Sequence, residues 1–292
     1  PVSREGALLF NNLVMTTAAA AVLLGTLYPL FLDALERGKV SVGPPFFNAV
    51  FIPLMIPMVV AMAIGPFLHW KRSDAAPALL RLRLAFGTAL LAGFLAYISY
   101  RGYPVLGAIA LALGVWLVLG ILTELAARIR LFQIPFVEAF HRMTRLPRAS
   151  WGMTLGHLGL GVSIIGMAGA GAWTVESIQV MKPGDKVVVS GYEFTFDGAE
   201  ASKGPNYRVV AGNFTVRRSS NHIADLIAEK RIYNVSKQPT TEAAIHTTLA
   251  GDLYAVIGDP EGADGAYVTR LYFNPLVVWM WIGTSIMVIG GA

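Results

Sequence analysis

Six long apolar runs most constrain what this chain can fold into. Each approaches or exceeds the roughly 20 residues that an α-helix needs to cross about 30 Å of hydrocarbon. Only 14% of the 292 residues are charged, too few for an ordinary soluble surface. The sequence therefore predicts a membrane protein, an α-helical bundle of about six transmembrane helices. The runs cover residues 8–32, 46–70, 82–100, 105–129, 154–173 and 274–292.

Basic residues between these runs predict the orientation. The loops at 71–83 and 128–148 are strongly basic, with four and five basic residues and one acidic residue each. With six spans, both loops fall on the same side, and the positive-inside rule places that side in the cytoplasm. The interval between the fifth and sixth runs is then outside. Anchoring by these loops explains the net charge of +5, so we expect contact with membrane lipid and no nucleic-acid partner.

Residues 174–273 predict a separate antiparallel β-domain, either a sandwich or a small barrel. Short β-branched and aromatic segments bounded by turn residues indicate strands; they begin at Lys186, Tyr207, Lys230, Gly251 and Ala266. We therefore divide the chain into helices 1–5 in residues 1–173, the β-domain in 174–273, and a sixth helix in 274–292. Because the chain starts without Met and ends inside an apolar run, we expect a fragment with a truncated last helix.

One histidine inside the fifth run, His157, is the strongest indication of a functional site. Ionisable side chains within a membrane span are costly, so they usually serve a function. Helical spacing places Met153 and Gly161 on the same face as His157, where we expect both to contact a bound cofactor, with Gly156 and Gly159 beside it. Glycines leave a flat surface against which a planar ligand can lie, and haem iron accepts an axial histidine. The alternative is that the glycines permit close helix packing and that His157 bonds a neighbouring helix.

The remaining ionisable candidates are weaker. His69 and His141 lie near predicted membrane edges, and His222 and His246 belong to the β-domain. We expect these four rings to be solvated or structural. Glu124, near a basic loop, is expected to snorkel to the membrane edge or to form an ion pair rather than to mark a proton path. The sequence contains no metalloprotease, phosphate-loop or serine-hydrolase motif.

Several ordered segments resemble the C-terminal portion of CcmF, the large membrane subunit of the cytochrome c maturation system. They cover residues 2–14, 24–29, 41–55, 151–166, 230–254 and 274–283. The segment Trp151-GMTLGHLGLG is similar to the family pattern W-G-M-x-L-x-H-x-G, whose histidine corresponds to His157. The resemblance runs through nearly the whole chain.

The resemblance implies a haem lyase of the bacterial inner membrane with a periplasmic β-domain. Such proteins receive haem from the chaperone CcmE and, with CcmH- and CcmI-type subunits, join it to the CxxCH thiols of apocytochrome c. They also hold a haem b between two histidines on different helices, which makes His157 one axial ligand. That haem b, with quinol as a candidate electron source, is expected to keep the transferred haem reduced.

Parts of the family pattern are missing from this sequence. The tryptophan-rich segment that cradles the transferred haem, its two flanking histidines and the partner transmembrane histidine are not found in residues 1–292. We therefore expect this chain alone to be inactive and to ligate no haem. An N-terminal half, on the same protein or a separate polypeptide, would supply those groups. The residues that catalyse thioether formation stay unknown.

Three other functions remain open. A paralogous subunit dedicated to multihaem nitrite reductase resembles the same segments closely. A non-catalytic scaffold would use the outer β-domain to dock maturation partners and His157 only for packing. A transporter half is disfavoured because the sequence shows no internal repeat.

Overall fold

Five long apolar helices occupy most of the first 172 residues. The fold is that of a computed structural model, which describes residues 3–72, 74–99, 104–262 and 264–292. Each helix is long and apolar enough to cross a membrane, so the predicted helical membrane character is confirmed. They are α1 (Arg4–Ala34), α2 (Pro44–Ile64, continued by a 3-10 turn at Gly65–Phe67), α3 (Ala75–Ser99), α4 (Val105–Arg128) and α6 (Arg148–Ala172).

Helix α3 begins earlier than its apolar run predicted. It starts at Ala75, so Arg81 and Arg83, which we placed in a basic loop, lie in its first turns. Both arginines are exposed. Long cationic side chains keep their stems along apolar surface while their heads reach water. Basic residues near a membrane edge therefore do not end a helix.

The last helix, α7 (Val277–Gly291), is shorter than predicted. Asn274 and Pro275, which we included in the sixth span, instead pair with Asp252 and Gly251 in a β-ladder. Helix α7 has 15 residues, which extend about 22 Å at roughly 1.5 Å per residue. The sixth membrane span stays a prediction.

A short helix, α5 (Phe136–Thr144), lies in the second basic loop and was missed by the sequence analysis. Ala139 on this helix is buried. Glu138 and Arg142 form an ion pair of 2.9 Å one turn apart. At nine residues, the helix is too short to give a clear periodic signal from sequence.

Small residues bring α2, α3 and α4 into close contact. Ala63, Leu82 and Leu117 are fully buried where these helices meet. A Cβ added at Gly120 would lie 2.6 Å from the Cβ of Ala63. Small side chains at such crossings are typical of membrane helices, where van der Waals contact drives association.

The β-domain is a sandwich of two antiparallel sheets. One sheet has the strand order β1-β9-β8-β7 and the other β2-β3-β4-β5-β6. The predicted antiparallel β-domain is confirmed, in the sandwich form. Its strands are β1 (Val175–Met181), β2 (Lys186–Val189), β3 (Tyr192–Lys203), β4 (Tyr207–Arg218), β5 (Asn221–Tyr233), β6 (Pro239–Glu242), β7 (Ala244–Thr247), β8 (Gly251–Pro260) and β9 (Tyr267–Pro275).

Alternate residues from both sheets form one core. In β8, buried and partly exposed residues alternate through Ile257, as expected for a strand with one face inward. Phe196 and Phe214 lie in contact at a ring-centroid distance of 5.2 Å. Gly212 leaves room for Ile257, because an added Cβ would come within 2.6 Å of its Cδ1. The sandwich therefore closes its own hydrophobic core.

The ends of two helices belong to the same compact unit as the sandwich, Ile165–Ile282. A Cβ added at Gly166 would lie 2.5 Å from the backbone nitrogen of Met280. The indole Nε1 of Trp279 donates a 2.9 Å hydrogen bond to the carbonyl of Leu249. The last turns of α6 and the first turns of α7 are thus packed together next to the strands that they join.

Candidate functional site

His157 lies on α6 with one ring nitrogen held by its own helix. Its Nδ1 is 2.7 Å from the carbonyl oxygen of Met153, one turn earlier. A carbonyl can only accept, so Nδ1 carries the proton and donates this hydrogen bond. In the neutral ring, Nε2 then holds the lone pair. Metal-binding histidines are commonly oriented in this way by a backbone carbonyl.

Met153 therefore acts on His157 through its backbone. Its side chain was predicted from the sequence to lie beside a bound ligand. In the structure this residue is partly buried. The hydrogen bond to its carbonyl could not be predicted from the identity of residue 153, because every residue four positions earlier on a helix offers a carbonyl. The side-chain role of Met153 stays a prediction.

Gly161, which the sequence analysis placed on a flat ligand surface, packs against α4. A Cβ added there would lie 2.8 Å from Cγ2 of Val118 and 3.2 Å from the carbonyl oxygen of Gly114. These contacts are what the helix-packing alternative describes. They give no support to the prediction that Gly161 borders a planar ligand.

Open space lies instead at Gly156, directly before His157. Among the residues that the structure describes, nothing comes within 4 Å of a Cβ added at this position, apart from its own helix and chain neighbours. Because successive residues lie about 100° apart around a helix, this open surface is beside the imidazole rather than on its face. Thr154, in the preceding turn, is buried, and its Oγ1 has no hydrogen-bond partner among the described residues.

Glycines also bring α6 and α7 into backbone contact. A Cβ added at Gly159 would lie 2.7 Å from the backbone nitrogen of Met287. One added at Gly152 would lie 2.8 Å from the carbonyl oxygen of Gly290. Contacts of this kind fix the rotation of a helix about its axis. They therefore determine the direction in which His157 faces.

The other four histidines lie outside α6. His222 pairs with Asp225 at 2.8 Å on the exposed end of β5, and this hydrogen bond holds the pKa of Asp225 below its usual value of 3.8. His246 lies on β7 and His141 on α5. His69 follows the turn after α2, and its carbonyl accepts a 3.0 Å hydrogen bond from the backbone nitrogen of Arg4.

Glu124 forms an ion pair, one of the two arrangements expected for it. The Nε of Arg128, one turn later on α4, donates to its Oε1 at 3.0 Å. The second oxygen, Oε2, is buried and has no hydrogen-bond partner in the described part of the chain.

The donor set fits one axial position of a haem rather than a bare metal ion. Among the described residues, no three His, Cys, Asp or Glu side chains are grouped so that they could hold a metal. Haem supplies the four equatorial nitrogens itself, so the protein needs to provide only axial ligands. The Nε2 of His157 meets that requirement for one side of the iron.

The outer face of the β1-β9-β8-β7 sheet carries apolar and aromatic side chains together with the charged Glu176 and Arg270, which pair in register with Tyr272 and Ile178. Ile178 and Val180 of β1 are exposed, and Tyr272 and Tyr254 of neighbouring strands meet at a centroid distance of 5.4 Å. Ile245 of β7 is paired with Tyr254 and is also exposed. We call the five apolar and aromatic residues the aromatic face.

The outer face of the second sheet is mostly polar, although Val188 and Ile227 are exposed on it. Lys186 pairs with Glu193 at 3.0 Å, and Thr215 donates to Asp197 at 2.8 Å. The sequence analysis missed the aromatic face, although a signal was present. Segments such as Leu253-YAVI are apolar at consecutive positions, as in strands that are covered on both sides.

The chain matches known proteins along its whole length. Residues 172–275 match the family model described as the CcmF C-terminal beta-sandwich. All of this chain aligns at 45% identity with the cytochrome c-type biogenesis protein CycK of Rhizobium meliloti, and 99% at 39% identity with CcmF of Pseudomonas aeruginosa. A solved structure titled Cytochrome c Heme Lyase CcmF aligns with 99% of the chain at a TM-score of 0.76 and 26% identity. The chain belongs to the CcmF family.

The chain corresponds to a C-terminal portion of CcmF proteins. It spans 43% of the length of each of the two relatives and 45% of the solved chain. The family's β-sandwich match coincides with the strands described above, from β1 to β9. Helix α6, which carries His157, lies almost entirely outside that match, in the part of CcmF that the relatives and the solved structure cover.

Proposed function

We propose that this chain is the C-terminal part of a cytochrome c haem lyase and that His157 is an axial ligand of a haem b. The observation that carries the proposal is the hydrogen bond from Nδ1 of His157 to the Met153 carbonyl, which leaves Nε2 to bind iron. The names of the relatives, which refer to cytochrome c-type biogenesis and to a haem lyase, support the wider assignment. The proposal places the helices in the bacterial inner membrane and the sandwich in the periplasm.

Each residue of the site has a separate task. His157 binds the iron, and the Met153 carbonyl fixes the ring and makes Nε2 more basic. The contacts of α6 with α4 at Gly161 and with α7 at Gly159 keep the imidazole in place. A haem bound here would carry single electrons, with quinol as the proposed source, and so supply the reducing power that thioether formation needs.

The whole activity requires partners that carry the remaining groups. The proposal assigns the second axial histidine and the site of the transferred haem to the N-terminal half, on the same protein or a separate polypeptide. CcmE would deliver haem, CcmH- and CcmI-type subunits would present apocytochrome c, and the CxxCH thiols would receive the haem. A strain that lacks its own CcmF-type subunit can be complemented with the assembled protein. Maturation of a general c-type cytochrome or of nitrite reductase is then measured, which separates the two roles.

The test is a visible spectrum of the assembled, reduced protein for wild type and His157→Ala. We expect the α-band of a b-type haem in wild type, and its loss or shift in the variant. His246→Ala, a histidine change in the sandwich, is the control and should leave the band unchanged. If folded His157→Ala retains the wild-type spectrum, His157 is a packing residue and the haem assignment is wrong.

The aromatic face favours a second function, the docking of partner subunits. A largely apolar sheet face on a domain that has already closed its own core suits contact with another protein. Tyr254→Ala combined with Ile178→Ser should reduce co-purification of CcmH-type subunits while haem content is unchanged. Thr215→Ala, on the polar face, is the matched control. Unchanged co-purification in the double variant would remove this function.

A further inference from the structure

An apolar groove lies where the end of α4 meets α5. Its volume is about 300 Å³. At roughly 30 Å³ for each water-sized group, it holds on the order of ten such groups, a size that suits a stretch of hydrocarbon chain. The residues that line it include Leu122, Ala126, Ile129, Phe136, Phe140 and Met143, all apolar.

Helix α5 has the character of a helix that lies in a membrane interface. Phe136 and Phe140 are on one side, and Glu138 and Arg142 are paired on the other. Phe136 is 75% exposed although it also lines the groove, and Phe132, just before the helix, is 93% exposed. Short amphipathic helices with aromatic residues on the apolar side lie at the boundary between headgroups and acyl chains.

Two ion pairs neutralise the two carboxylates near the groove, while Oε2 of Glu124 makes no hydrogen bond among the described residues. Arg128 binds Glu124 and Arg142 binds Glu138. The remaining arginines of this segment are exposed, and no ion-pair partner for them is found in the described part of the chain. They are Arg130, Arg145 and Arg148.

Two of these arginines lie next to the groove in the chain. Arg130 falls between Ile129 and Leu131, which both line it. It adopts a left-handed conformation with φ of 55° at the end of α4, where Leu131 donates a 2.8 Å hydrogen bond to the Ala126 carbonyl. Arg145 is the residue that ends α5, two positions after a groove residue.

We propose that this groove binds one acidic phospholipid. An acyl chain lies against the apolar residues, and the headgroup phosphate lies at Arg130 and Arg145. The charge decides the class of lipid, because two guanidinium groups without carboxylate partners favour a ligand with net negative charge. A bound lipid would hold α5 against the end of α4.

Native mass spectrometry of the assembled protein, titrated with phosphatidylglycerol or phosphatidylcholine, tests this proposal. We expect wild type to retain one phosphatidylglycerol in preference to phosphatidylcholine. Each arginine near an anionic lipid contributes about fivefold in affinity, so Arg130→Gln with Arg145→Gln should weaken phosphatidylglycerol binding roughly thirtyfold. Arg81→Gln with Arg83→Gln removes two exposed arginines from α3 and should leave this binding unchanged.

A second variant tests the groove without changing charge. Ala126→Leu fills the space where the acyl chain is placed, and it should weaken binding of both lipids. Three results would overturn the proposal: equal retention of both lipids by wild type, unchanged phosphatidylglycerol binding in the double arginine variant, or no lipid on wild type because another part of the assembly covers the groove.

Discussion

The sandwich buries its large apolar side chains, whereas the long helices expose many of theirs. In the sandwich, the large apolar residues of β3, β4 and β8 are fully buried between two sheets, as at Phe194, Phe214 and Leu253. In α3, Leu84 is 77% exposed, and Phe94 on the same helix is also exposed. The sandwich supplies its own apolar environment, whereas the helices need one from outside, from lipid or from another part of the protein.

This difference in burial shows which region needs an apolar environment from outside in order to be stable. A domain with a closed core is stabilised in water by burial alone. Helices with exposed leucines on one side and close glycine contacts on the other are stabilised by packing with neighbours and by the membrane. His157 lies on α6, which makes close glycine contacts with α4 and α7 but whose leucines are partly buried rather than exposed.

The largest expected difference between the two regions is in solubility. Residues 174–276, produced alone, should fold in water and unfold cooperatively on heating, as measured by circular dichroism. Residues 3–164 should require detergent. A sandwich that stays unfolded without the helices would show that its core is not self-sufficient, and the comparison would fail.

Single core residues should show the same contrast. Phe214→Ala in the sandwich removes a buried ring and should lower the free energy of unfolding by about 3–5 kcal/mol. Leu84→Ala in α3 removes an exposed side chain and should change stability in detergent by less than about 0.5 kcal/mol. Denaturant unfolding of the sandwich and thermal stability of the detergent-solubilised chain measure the two effects. Similar losses in both would contradict the burial described here.

Glycines on α6 should differ according to what lies next to them. Gly159→Ala places a methyl group against the α7 backbone, and overpacking of this kind costs about 1–3 kcal/mol. The methyl group added by Gly156→Ala points into open space, so this change should stabilise the helix by about 0.5–1 kcal/mol. Thermal stability of this chain in detergent, without the N-terminal half or haem, measures both. If Gly156→Ala is as harmful as Gly159→Ala, a neighbour occupies the space beside His157.

Surface charges of the sandwich should matter least. The hydrogen bond from His222 lowers the pKa of Asp225, so the pair stabilises the fold above the usual aspartate pKa of 3.8. That contribution is lost as the pH falls through the lowered pKa. Asp225→Asn should lower Tm by no more than about 2 °C at pH 7 and by less at pH 3. A larger difference at pH 3 than at pH 7 would contradict the direction of this shift.

The fold was predictable where a residue pattern has one physical cause. The length of the apolar runs indicated the helices, and alternation in segments such as the one that begins at Tyr207 indicated long central strands. Strands β6 and β7 have four residues each, too few to show alternation. Helix α5 was missed for the same reason. The start of α3 was predicted too far along the chain, because Arg81 and Arg83 were assigned to the basic loop before the helix.

The candidate site was predictable in its residue but not in its surroundings. A histidine within an apolar run was visible from sequence alone, and so were the glycines near it. Helical spacing could not tell which glycine meets another helix, because that depends on how α4 and α7 pack on α6. The sequence suggested a flat surface at both Gly161 and Gly156, whereas the structure packs Gly161 against α4 and leaves space at Gly156.

The most direct test of the central claim uses His157→Gly in the assembled protein, with and without added imidazole. Removing the side chain leaves a space that free imidazole can enter to bind iron. We predict that the reduced b-type α-band is lost in the variant and returns when imidazole is added. A band that remains at wild-type intensity in His157→Gly without imidazole would contradict the assignment of His157 as an axial ligand.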